Sequence, residues 1–285
     1  MLRQLIAAIA PCAVAAQFFA VAAMPLRRRH PDWGESIGAL AVGFGAFTGL
    51  IAVLGWPLFP ARDAAQWLVY ACGLFMVLCA TESRWSKNAP LRVAVRSIVF
   101  GLALAIVLRP LITHAWQFAE TLVWLAVLVC GGVAIGESYA ALVRRDPRAR
   151  AATLALLTMA GGSVVMLLSG SAKLALLAGA VTSALFGAAV LAWFAPQRYP
   201  LSGALALAWL LTALIWIEGY FYAQSLPAPI ALLAASTTTP WLAHLNMRRN
   251  SVVRNLFAGI ATGALVALAI GIAYRDYTFS DAGYG

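Results

Sequence analysis

The sequence predicts an all-helical, polytopic membrane protein whose helices form two five-helix units of inverted topology. Three observations lead there. Hydrophobic residues make up 63% of the 285-residue chain and charged residues only 11%, a balance that no water-soluble domain of this size sustains. Its mean hydropathy is +0.86. Apolar runs long enough for a spanning helix, which needs roughly 20 such residues, recur along the chain with only short polar interruptions. The second half also repeats the rarer residues of the first in the same order, and the repeated unit holds an odd number of apolar segments.

Taken in order, the expected spans number about ten: Leu5 to Met24, Ile37 to Phe59, Gln66 to Thr81, Val93 to Ile112, Thr121 to Val143, Ala151 to Leu168, Leu174 to Phe194, Leu201 to Tyr222, Ala228 to Leu245 and Leu256 to Tyr274. The first resembles a secretory leader, with Leu2-Arg3 before an apolar run and Ala20-Val21-Ala22-Ala23 after it. The run is too long for a leader, however, and Arg27-Arg28-Arg29 directly afterwards opposes translocation, so it reads as a retained helix. Proline interrupts the fourth and ninth segments at Pro110 and Pro240. The fifth carries Gly132 and Gly136 four apart, and the tenth Gly259/Gly263 and Ala267/Gly271, spacings that let helix backbones approach in lipid. Cys12, Cys72, Cys79 and Cys130 all fall within spans and form no CxxC pair, so they read as small buried apolar residues.

A net charge of +10 raises nucleic acid as a partner, but the placement of the charge argues for topology instead. Fifteen of the 20 Lys and Arg residues follow odd-numbered segments: Arg27, Arg28, Arg29, Arg84, Lys87, Arg92, Arg96, Arg144, Arg145, Arg148, Arg150, Arg198, Arg248, Arg249 and Arg254. Arg3, Arg62, Arg109, Lys173 and Arg275 lie on the other side. The positive-inside rule then turns the basic loops to the cytoplasm and both termini away from it, in a plasma membrane of the bacterial inner-membrane kind. Membrane lipids are the first expected partners, and anionic headgroups suit these loops.

The repeat rests on rare residues, since matches between Ala and Leu prove little. Trp56, Pro60, Arg62, Glu82, Pro110, His114 and Tyr139 recur as Trp193, Pro196, Arg198, Glu218, Pro240, His244 and Tyr274, at separations of 130 to 137 residues. The first and sixth segments show no convincing match. Residues 1–145 and 146–285 are thus expected to form the two units of one membrane domain. Because each unit has five segments, the second enters the membrane upside down, as in many secondary transporters.

Charges at membrane depth are costly and mark functional candidates. Glu137 sits about two turns before Arg144, too deep for a short carboxylate to reach the surface, and suits either a proton-coupled carrier or a structural ion pair. Arg109 precedes Pro110, and a proline that frees a carbonyl one turn earlier can present both a cation and a half-helix end to an anionic substrate. The matching step, Thr239-Pro240, follows Ser236, Thr237 and Thr238; these hydroxyls either line a polar cavity or bond back to their own helix. Glu218, within Trp216-Ile217-Glu218-Gly219-Tyr220-Phe221-Tyr222, reads chiefly as part of an interfacial aromatic belt and secondarily as a gate. The candidate substrate-binding residues are therefore Arg109, Pro110, Glu137, Glu218, Thr237, Thr238, Thr239 and Pro240.

His114 and His244 fall near opposite faces in this topology, which argues against shared metal or haem ligation, and His30 lies in a basic loop. No GxSxG, HExxH or phosphate loop is present, so neither a catalytic constellation nor a cofactor is expected. The expected function is a secondary-transporter-like carrier that moves a small polar or anionic solute by alternating access. The alternative is a non-transporting anchor or scaffold subunit of a larger complex. In length and helix count the chain resembles the drug/metabolite transporter superfamily, which implies export or exchange of small metabolites. That resemblance is architectural and carries over no residue, and the family's cytoplasmic termini differ from the orientation inferred here. A fluorescent-protein or phosphatase fusion at Gly285 is expected to report a non-cytoplasmic end, whereas a cytoplasmic signal reverses the orientation or changes the number of spans.

Overall fold

A computed structural model describes residues 2–25, 33–61, 63–82, 88–145, 150–194, 201–223, 227–240 and 251–282. It contains α1 (Leu2–Ala22), α2 (Gly34–Leu54), α3 (Ala64–Glu82), α4 (Ala89–Val107), α5 (Arg109–His114), α6 (Phe118–Arg145), α7 (Arg150–Leu168), α8 (Ala172–Phe194), α9 (Ser202–Tyr222), α10 (Pro227–Ser236) and α11 (Ser251–Ala282). Among the described residues there is no strand. His30, Arg62, Pro196, Arg198 and His244, together with Arg27 to Arg29, Arg84, Lys87, Arg148, Arg248 and Arg249 of the basic loops, lie outside the described residues.

Seven helices are long and apolar enough to cross a membrane: Gly34–Leu54, Ala64–Glu82, Ala89–Val107, Phe118–Arg144, Ala172–Phe194, Ser202–Tyr222 and Asn255–Thr278. The chain is therefore a helical, multi-pass membrane protein. The apolar stretches Ala10–Ala22, Ala152–Leu168 and Pro227–Ser236 are shorter. The last is cut by a turn at Thr237 and Thr238, and the remainder of the expected ninth span, residues 241–245, lies outside the described residues.

Helix ends follow local chemistry. The backbone N–H of Gln66 donates to Asp63 Oδ1 (2.7 Å), capping α3. Gly55 closes α2 at a φ of +76°, a conformation open to glycine, while its N–H donates to the Ile51 carbonyl. Gly170, at φ +84°, turns the chain between α7 and α8. Pro90 lies in the first turn of α4, where its missing N–H breaks no helical bond.

α9 is the central helix. Along its apolar stretch 83% of the residues are buried inside the protein, against 11% for α6, which turns most of its surface outward. It packs on α2, α3, α6 and α8, with smaller contacts to α4, α7 and α10. On one side α1, α2 and α8 pack as a triad, and α7, α10 and α11 form a second group. Successive helices pair in both halves, α1 with α2 and α7 with α8, or α4 with α6 and α10 with α11. The halves then diverge, because α7 packs extensively on α11 whereas α1 and α6 share no comparable interface.

Glycines set the closest approaches. A Cβ on Gly45 would strike the Cys12 carbonyl, Ala16 and Ala184, and one on Gly187 would strike the Ala13 backbone, so α1, α2 and α8 meet nearly backbone to backbone. Gly132 abuts Phe100 and Gly136 abuts Trp209, as close packing of the fifth segment requires. The tenth segment departs from expectation. Gly259, Gly263 and Gly271 have open space where a side chain would go, so their spacing makes no close helix contact among the described residues. Cys12, Cys72 and Cys79 are buried, but Cys130 is exposed on the outward face of α6. Gly45→Val is expected to destabilise the protein by about 1–3 kcal/mol through overpacking, lowering the thermal midpoint of the purified protein in detergent. Gly73→Ala, on an open face of α3, is expected to leave that midpoint unchanged or raise it slightly.

Candidate functional site

Two prolines break two helices, and the freed backbone groups are satisfied in different ways. At the break between α4 and α5, Pro110 cannot donate to Ile106, and the N–H of Leu111 donates to Leu108 rather than to Val107. The Val107 carbonyl accepts instead from the Tyr222 hydroxyl of α9 (3.0 Å). Just past α10 the hydroxyls of Thr237, Thr238 and Thr239 donate to the carbonyls of Ala234 (2.5 Å), Ala235 (2.7 Å) and Ser236 (2.8 Å). The Ser236 carbonyl is the one that Pro240 leaves without its helical donor. Thr239 and Thr262 share a further hydrogen bond (2.5 Å), as do Ser236 and Thr158 (2.9 Å), tying α10 to α11 and α7. The hydroxyl run thus follows the back-bonding alternative.

Charge is concentrated where α3 ends and α4 begins. Arg96 Nη2 donates to both oxygens of Glu82 (2.7 and 2.8 Å) and its Nε to Oε2 (3.2 Å), while Nη1 reaches Glu137 Oε1 (2.5 Å). Arg92 completes the network through Nη2 to Glu137 Oε2 (3.0 Å) and a longer approach to Glu82 Oε1 (3.7 Å). Two guanidinia and two carboxylates balance, and Arg96 is only 2% exposed. Such forked, charge-assisted contacts hold three helices in one register.

A cavity of about 440 Å³ lies between α6, α9 and α10. Trp124, Trp209, Trp216, Tyr220 and Phe221 supply aromatic walls, and α10 contributes Pro227, Ile230, Ala231 and Ala234. Gly131 and Gly132 keep the α6 wall low. Trp209 Nε1 donates to the Gly132 carbonyl (2.9 Å), and its ring packs edge-on to Trp216 with centroids 5.5 Å apart. Trp124 and Phe221 meet in the same T-shaped manner at 5.4 Å. The lining is apolar, in keeping with a size and character typical of small-molecule sites.

The structure separates the residues that the sequence singles out. Arg109 and Pro110 are exposed at the α4–α5 break and do not line the cavity. Glu137 follows the cavity residue Ile135 by two positions but is held by Arg92 and Arg96, giving it the structural ion pair. Thr237 and Thr239 are buried against neighbouring helices and Thr238 is exposed, while Pro240 is buried; none lines the cavity. Glu218 is not part of an exposed belt but 5% exposed, and its Oε2 has no hydrogen-bond partner among the described residues.

Several residues that matter were hidden by their sequence context. Arg92 and Arg96 read as loop cations, because they follow a polar stretch and serve the charge asymmetry, yet both are buried on α4. The periodic signal was their spacing of four, which puts both on one helix face. Trp209, Trp216 and Tyr220 recur at intervals of seven and four, a single stripe on α9, but aromatic residues near a segment end are also the mark of a membrane interface.

No protein-family model, curated protein or solved structure matches the chain, so its site is read from its own chemistry. Among the described residues no group of three or more His, Cys, Asp or Glu side chains is arranged to hold a metal ion. Arg96→Ala is expected to cost about 3–5 kcal/mol because it takes from the buried Glu82 its close partner and leaves it only the 3.7 Å approach of Arg92, read as a large drop in thermal midpoint. Adding Glu82→Gln to that variant, which leaves the Arg92–Glu137 pair intact, is expected to recover part of the loss.

Proposed function

We propose that the protein is a secondary-transporter-like carrier that moves a small solute by alternating access, with the solute bound in the cavity between α6, α9 and α10. The observation that carries this reading is where the cavity lies. One wall comes from residues 1–145 and the other two from residues 146–285, so it opens along the seam between the proposed units. Sites at the interface of repeats, beside broken helices, are a recurrent feature of carriers, and α10 both lines the cavity and breaks at Thr237 and Thr238.

In this reading α1, α7 and α10 complete ten spans, and the two units are related by inverted topology. The charge asymmetry supports a bacterial inner membrane with both termini away from the cytoplasm. The lining bears on the solute. A small anionic molecule would meet almost no polar atoms in this cavity, and the guanidinium of Arg96 is already matched by Glu82 and Glu137. A solute with an apolar, ring-bearing body fits better, and bilayer lipids are its competitors for the same walls.

The test fills the cavity. A Cβ at Gly131 would meet nothing within 4 Å, so Gly131→Leu adds bulk to the cavity without a clash. Binding of an apolar aromatic dye such as N-phenylnaphthylamine to the protein in nanodiscs is expected to weaken at least tenfold in this variant while the thermal midpoint holds. Uptake of ring-bearing metabolites into proteoliposomes is expected to fall in parallel. Undiminished dye binding removes the cavity as the site, and binding without uptake of any solute favours the anchor or scaffold alternative.

A further inference from the structure

The described buried carboxylates differ in one respect. Glu82 and Glu137 are each held by guanidinium groups, whereas Glu218 makes no ion pair and no hydrogen bond among the described residues, although it is 95% withdrawn from the surface. An ionised carboxylate in this condition has lost most of its water, wholly so at Oε2, and gained no partner among the described residues, which is costly by the usual measure of buried ions. A residue that costs so much is kept for a use or neutralised by a ligand.

Its position on α9 indicates which. Trp209, Ala213, Trp216, Ile217, Tyr220 and Phe221 occupy the cavity face, and at 3.6 residues per turn Glu218 falls on the opposite face. The next residue, Gly219, a further 100° round the helix, packs on Met166 and Leu174 of α7 and α8. Among the described residues, the charges whose fields reach Glu218 are Lys173 at the start of α8 and Asp63 before α3, which pair with each other (3.0 Å) and are both about half exposed. The Tyr222 hydroxyl, one turn further along α9, is engaged with the Val107 carbonyl. Arg109 and Glu120 lie on exposed faces of α5 and α6 at this end. Elsewhere around α9, Glu35 on α2, Glu82 on α3, Arg92 and Arg96 on α4 and Glu137 on α6 sit toward the other end of the bundle, and α10 carries no charged residue. Glu218 is thus buried at the end of α9 that feels the half-exposed Lys173–Asp63 pair, with no fixed counter-ion of its own among the described residues.

We propose that Glu218 is the proton site of the carrier: its carboxylate takes a proton from the end of α9 that feels the Lys173–Asp63 pair and surrenders it after the solute-bearing cavity on the other face of α9 has changed its exposure. The step forms one O–H bond on Glu218 and later breaks it, and needs no other reactant. Proton and solute are then coupled through one rigid, nearly enclosed helix. The coupling rests on the carrier reading above; the protonation does not.

Infrared difference spectra of the purified protein in lipid, recorded across a pH titration, test the two separately. The wild type labelled with carboxyl-13C glutamate is expected to show the carbonyl band of a neutral carboxylic acid in an apolar setting, displaced by the label. Glu218→Gln is expected to abolish the band, and Glu120→Gln, at an exposed position, to leave it. Should Glu218→Gln fail to fold, Glu218→Asp serves, since it turns the band into one the glutamate label no longer moves. Absence of a label-sensitive band in the wild type, or its persistence in the Glu218 variants, overturns the proton site whether or not the protein transports. In proteoliposomes Glu218→Gln is expected to retain dye binding and lose accumulation driven by a proton gradient; gradient-driven accumulation that survives the substitution overturns the coupling.

Discussion

The guanidinium of Arg96 lies between Glu82 and Glu137, and much of the bundle takes its register from that contact. A charge so far from water is tolerable only if its hydrogen-bonding capacity is met in place. Arg96 meets it with the last residue of α3 on one side and a residue two turns from the end of α6 on the other. The consequence passes along α6. With Glu137 anchored, Gly136 faces Trp209 and the Gly132 carbonyl is presented to the indole N–H of the same residue. The cavity begins there, with Gly131, Gly132 and Ile135 forming its α6 wall. An ion network at one end of the protein thus sets the geometry of an apolar site one to two turns away.

The same requirement, that no backbone group be left unpaired inside the bundle, explains the two broken helices. Proline costs a helix the bond that its ring nitrogen cannot make. At Pro110 the adjustment reaches across the bundle, because a helix tightened by the Leu111 to Leu108 bond releases the Val107 carbonyl to Tyr222. At Pro240 it stays local, because three threonines in succession supply hydroxyl donors to the preceding turn. Related prolines are accommodated by unrelated chemistry, one binding α9 to α4 and the other leaving α10 free to present its opposite face to the cavity.

The helical class and the positions of the helices were legible in the sequence because they depend on composition and run length, which lipid reads almost without regard to detail. The alternative reading of Thr237 to Thr239 was legible too, since side-chain bonding to the preceding turn is a local property. The location of the site was not. Arg109 and Glu137 are both charges within apolar runs, and nothing along the chain reveals that one is exposed at a helix break while the other meets two arginines 41 and 45 positions away. Glu218 is the reverse case. Its aromatic neighbours are interfacial in composition, but the stripe through Trp209, Trp216 and Tyr220 turns inward, and only the packing of α9 on α2, α3, α6 and α8 decides that. Periodicity identifies a face; the partner that covers it is a tertiary fact.

α9 joins these threads. A helix buried on nearly every side cannot move without repacking several neighbours, so a rearrangement of one of its faces is felt by the other. One face is a wall of aromatic rings beside a void. The other holds a carboxyl group with no counter-ion among the described residues. In a rigid element the states of these two faces are linked reciprocally: whatever ligand in the cavity alters the surroundings of Glu218 must in turn bind more or less tightly as the charge on Glu218 changes. The network at Arg96 serves the opposite purpose, since its charges are matched within one cluster and gain nothing from such a change. Glu82 and Glu137 are thus fixed where helices must hold, and Glu218 is left unmatched among the described residues on the helix that the proposed carrier would use to couple solute and proton.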